Sequence, residues 1–72
     1  MKMKDHLYEC HKQYERIMQS DSSDSQKDRE LAELMSYMEK KFSVPSLRNE
    51  EWEKKNRKVI ALYRKISLSR SL

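Results

Sequence analysis

The sequence has no glycine and only one proline, one cysteine and one tryptophan: Pro45, Cys10 and Trp52. Only glycine enters positive φ without steric cost, so tight β-hairpins and phosphate-cradling loops are usually built around it. Its absence points away from β-rich folds and nucleotide-binding loops together. A single cysteine cannot form an intrachain disulfide and fits a reducing compartment, so the cytoplasm is the expected location. No stretch approaches the roughly 20 apolar residues that a membrane span requires. The polar start, Met1-Lys2-Met3-Lys4-Asp5-His6, is followed by no apolar run of signal-peptide length. Neither a secretory leader nor a membrane partner is expected. Acidic residues stop at Glu53, which leaves the last part of the chain purely basic.

What is present favours helices. Lys, Glu, Arg, Leu and Met, all good helix formers, dominate a chain of 72 residues that can hold only one domain. Hydrophobic residues make up 36% and charged residues 39%, a thin core under a wet surface. A chain of this length buries only about 60% of its unfolded surface, so its stability is marginal. Thin helical cores are often completed by a second copy or a partner. Homodimerisation is therefore the open alternative to a self-sufficient monomer.

Periodicity predicts three helices. The first spans about residues 3–18, with Met3, Leu7, Cys10, Tyr14 and Ile17 spaced by three and four along one face and Tyr8 and Met18 widening it. That spacing is also a heptad seam, so Leu7, Cys10, Tyr14 and Ile17 are the expected surface for self-association. A Ser/Asp-rich linker follows at 19–25, because these side chains compete with the helical backbone. Ser23 and Gln26 fit a capping box, and Asp24 or Ser25 could equally serve as N-cap. The second helix should cover about 26–42, with Leu31, Leu34, Met35, Met38 and Phe42 inward. A Pro-containing turn at 43–49 ends it, and Asn49 is a good N-cap for a third helix over about 50–67. Residues 68–72 should fray. The fold class is all-α: a small three-helix bundle, or a helical hairpin plus a third helix, completed where necessary by homodimerisation. Leu34, Met38, Val59 and Tyr63 should lie inside it.

No motif for catalysis emerges. His6, Cys10 and His11 are metal-ligating types, but a tetrahedral site needs four ligands, and Cys10 equally suits the apolar stripe. A cysteine nucleophile would need a histidine base oriented by a third group, and no such arrangement is recognisable. Glu50, Glu51 and Glu53 suit the positive end of a helix dipole better than acid–base work. We expect no enzyme, no cofactor and no metal.

The strongest feature is charge layout. Residues 20–39 carry two basic against six acidic groups, net −4, whereas residues 49–72 carry seven basic against three acidic groups, net +4. The basic end holds Lys54, Lys55, Arg57, Lys58, Arg64, Lys65 and Arg70, with Trp52 and Tyr63 among them. Positions 54, 55, 57 and 58 spread around much of the helix circumference rather than along one stripe, which does not favour nucleic-acid binding. A helix-turn-helix is disfavoured because the 43–49 connection is too long and contains Pro45. The leading expectation is a small protein-interaction module, a regulator or adaptor, which contacts another protein through Trp52, Lys54, Lys55, Arg57, Lys58 and Arg64. The alternative is a nucleic-acid-binding protein that uses the same basic helix, and the residues equally suit a helix face that is only solvated. Trp52 is either an exposed anchor or a lid beside Pro45 and Leu47.

Overall fold

A computed structural model describes residues 3–70 of the protein, with side chains from His6 onward. The chain is all-α. Among the described residues there are four helices and no strand: α1 Met3–Gln19, α2 Asp24–Lys41, α3 Glu50–Lys55 and α4 Arg57–Ser69. α2 packs against both α1 and α4, α1 meets α4 more sparsely, and α3 rests on α4. The first two helices match their expected course, and α3 with α4 fills the place of the third.

Each boundary has a local cause. Ser20 ends α1 by turning its backbone N–H (3.3 Å) and its hydroxyl (2.8 Å) to the Ile17 carbonyl. α2 starts at Asp24, two residues before expectation, because the Ser23 hydroxyl accepts from the Gln26 backbone N–H at 3.2 Å. The box is half-formed, since the Gln26 side chain donates forward to Glu30 at 2.8 Å. The linker is therefore shorter than 19–25. Asn49 caps α3 as its chemistry predicts, its Oδ1 accepting from the Trp52 N–H at 3.0 Å.

The end of α2 shows where a glycine would have been useful. The Phe42 N–H makes the last helical bond, to the Met38 carbonyl (2.9 Å), and the Val44 N–H reaches the Glu39 carbonyl (3.2 Å), the 6→1 bond of a Schellman-type turn. Ser43 sits between them at φ 56°, the left-handed region. A β-carbon there carries a penalty of about 1 kcal/mol or more. Ser43→Gly should therefore raise unfolding stability by about 0.5–1 kcal/mol, because relief of that penalty exceeds the added freedom of the unfolded chain. Urea titration would read this as a higher midpoint at unchanged slope.

Two expectations are corrected at the C-terminal end. The third helix is not continuous over 50–67. At Asn56 the backbone leaves helical angles (φ −128°, ψ 46°), and both its N–H (3.0 Å) and its Nδ2 (2.9 Å) donate to the Trp52 carbonyl. An asparagine side chain that competes for backbone partners breaks a helix where no apolar neighbour holds it to the core, and residues 53–58 supply none. Residues 68 and 69 are helical, not frayed. Ser69 donates to the Lys65 carbonyl at 2.9 Å and accepts from the Tyr14 hydroxyl at 2.7 Å. Arg70 makes a forked pair with Asp28 at 3.0 and 3.2 Å, which ties the end of α4 to α2. Residues 71–72 of the expected tail lie outside the described residues.

The core is Cys10, Ile17, Leu31, Leu34, Met38, Phe42, Val59, Leu62 and Ile66, all buried. Leu7, Tyr14, Met35, Val44, Trp52 and Tyr63 pack around it. Leu34, Met38 and Val59 are inside as expected, and Tyr63 stands at the edge. Its hydroxyl donates to Glu39 at 2.5 Å, and partial burial together with that carboxylate pushes its pKa up to about 12. The phenol thus stays protonated, and the tie from α4 to α2 holds, throughout the neutral range. The α1 seam is consumed within the chain: Cys10 and Ile17 are core residues, with Leu7 and Tyr14 packed against them. Self-association through it would have to unpack the monomer. The Met3 side chain, expected on the same stripe, lies outside the described residues.

Candidate basic docking site

The break at Asn56 creates the site. Lys54 and Lys55 close α3, and Arg57 and Lys58 open α4. With the change of direction between them, the four line one shallow cavity of about 400 Å³ together with Leu7, Asn56 and Val59. A straight helix would have dispersed them. All four are exposed, and none belongs to an ion pair among the described residues.

Their placement opposes local electrostatics on one side of the break. Cations at the end of α3 complement its dipole, but Arg57 and Lys58 sit at the positive end of α4, which has no acid in its first turn. Helices ordinarily carry acids there, as α3 does with Glu50, Glu51 and Glu53. This concentration of like charge is a departure from local preference of the kind found at functional sites.

The remaining candidates fall elsewhere. Trp52 does not line the basic cavity. It is half-buried and borders a smaller crevice of about 220 Å³ with Pro45, Leu47 and Tyr63, packed against the core. Arg64 borders the same crevice and is held by Glu53 at 2.8 Å, a clip between α4 and α3. The six sequence candidates thus form no single site. Lys54, Lys55, Arg57 and Lys58 line the basic cavity. Arg64 shares a second cavity of about 350 Å³ with Lys54 and Arg57, where Glu50 and Glu53 offset their charge, and Trp52 stands apart. Leu7 was expected on the self-association seam and not beside these cations. Its signal was its position on the apolar stripe at the start of α1, beyond the buried Cys10.

A larger groove of about 570 Å³ runs between α1 and α2, but Arg16 shares it with Glu30 and Glu33, so its charges largely offset one another. The basic cavity instead combines one sign of charge with an apolar base. Cys10 is in the core, where burial and then Glu9 raise its thiol pKa. No group of three or more His, Cys, Asp or Glu gathers among the described residues. Nor is any described helix long and apolar enough to cross a membrane. Family models, curated protein sequences and solved structures were compared with the chain, and none matches.

Proposed function

We propose that this protein is a small, non-enzymatic interaction module that binds an acidic surface of another protein through Lys54, Lys55, Arg57 and Lys58. One observation carries the reading: four cations without ionic partners among the described residues surround a single cavity with apolar residues in its wall. Opposite charge would steer the encounter and fix orientation. A regulator or adaptor role in the cytoplasm is consistent with such a module, and a reducing compartment suits the lone Cys10.

A protein surface suits this patch better than a nucleic-acid backbone. Phosphates repeat along an extended path, and affinity grows with the number neutralised together. The four cations occupy little more than one helical turn, and Glu50, Glu51 and Glu53 bound them on α3.

The dipole conflict provides a test. An Arg57→Glu, Lys58→Glu variant should be more stable than the parent by a few tenths of a kcal/mol to about 1 kcal/mol, because acids replace cations at the N-terminus of α4. The same variant should lose binding to polyglutamate in fluorescence anisotropy at ~150 mM salt. Retained binding in a folded variant would remove the basic patch from the interaction. Submicromolar binding of duplex or single-stranded DNA by the parent, lost in the variant, would replace the protein partner with a nucleic acid.

A further inference from the structure

The cavity's composition says more about the partner than its charge does. Leu7, on α1, and Val59, on α4, contribute apolar wall, and Lys54, Lys55, Arg57 and Lys58 line the same cavity. Lysine and arginine carry apolar stems below charged heads, so the stems extend the apolar wall and the heads form a cationic rim in water. Val59 is itself buried and gives only an edge, whereas half-buried Leu7 presents more surface. A volume of about 400 Å³ on an open face has room for one aliphatic side chain together with the residues that flank it.

We propose that the cavity receives a short acidic protein segment with one aliphatic anchor, whose carboxylates meet the Lys54, Lys55, Arg57 and Lys58 heads while the anchor enters between their stems against Leu7. This rests on the basic-face reading above and adds the anchor to it. A purely acidic ligand would leave the apolar wall wet, and a purely apolar one would crowd the cations against a low-dielectric surface. Only a ligand with both elements answers both features. Rim contacts in water are screened by salt, whereas anchor burial is not. The two contributions can therefore be separated.

The probe is a short fluorescent peptide of alternating glutamate and aspartate with one central leucine, compared with the same peptide bearing alanine there. The leucine peptide should bind the full-length protein about tenfold more tightly, as expected for burial of an aliphatic side chain. Raising salt from ~50 to ~300 mM should weaken both peptides and leave their ratio unchanged. Leu7→Ala should collapse the ratio without abolishing binding, a coupling between anchor and wall. Circular dichroism would confirm that this variant is folded, and the peptide comparison stands without it. Equal affinity of both peptides for the parent would overturn the anchor while leaving the basic face in place. Binding of neither would overturn both readings, and tighter binding of duplex DNA than of the leucine peptide would do the same.

Discussion

Replacing Leu34 by Ala is expected to lower the unfolding free energy by about 2–5 kcal/mol, the range for emptying a buried leucine site. Leu34 is 3% exposed and lies on the face of α2 that joins α1 and α4. A domain of this size holds roughly 4–11 kcal/mol in all. The loss is therefore a large share of the total and should shift the thermal midpoint down by about 10 °C or more. Leu47 provides the control. It is 83% exposed, and Leu47→Ala should stay within about 0.5 kcal/mol of the parent. Thermal unfolding of both variants by circular dichroism would decide the matter. Similar midpoints for the two would mean that α2 does not bury the face described.

Thiol chemistry should report the same core from α1. Cys10 is 1% exposed, and burial raises its pKa, so both access and thiolate content are suppressed in the folded state. An alkylating reagent should reach it only when the structure opens. Labelling should then be at least about 10²–10³-fold slower than in denaturant, as an opening free energy of roughly 3–4 kcal/mol implies. Leu34→Ala should accelerate it, because loss of stability raises the open population. Labelling of the folded parent at the rate of the denatured chain would show that α1 does not dock through Cys10.

Features encoded by neighbouring residues were legible in the sequence. Spacings of three and four placed Cys10, Ile17, Leu31, Leu34 and Met38 on inner faces. Asn49, and Ser23 among three candidate caps, marked helix starts because their short side chains reach backbone N–H groups three residues on. Features that depend on distant partners were not. Arg70 finds Asp28 across 42 residues, and Tyr14 finds Ser69 across 55, so the end of α4 looked like a tail when read alone. Ser43 gave no sign of its left-handed conformation, which is usually given to glycine. The candidate site was half legible. Its cations were evident, but their convergence depends on the backbone at Asn56, one weak helix former inside an otherwise helical run. Trp52 was grouped with them on sequence proximity, whereas it borders a different crevice with Pro45 and Leu47. The heptad seam of α1 carries no label to distinguish an internal partner from a second copy, and the structure assigns it an internal one.

The basic cavity as the contact surface is tested most directly by residue-resolved NMR. Isotope-labelled protein would be titrated with polyglutamate at ~150 mM salt. Saturable shifts should be largest at Lys54, Lys55, Asn56, Arg57 and Lys58, fall away along α4, and leave Glu33 and Tyr37 in the α1–α2 groove unmoved. Shifts centred on that groove, or no saturable shift at the α3–α4 break, would contradict the proposed interface.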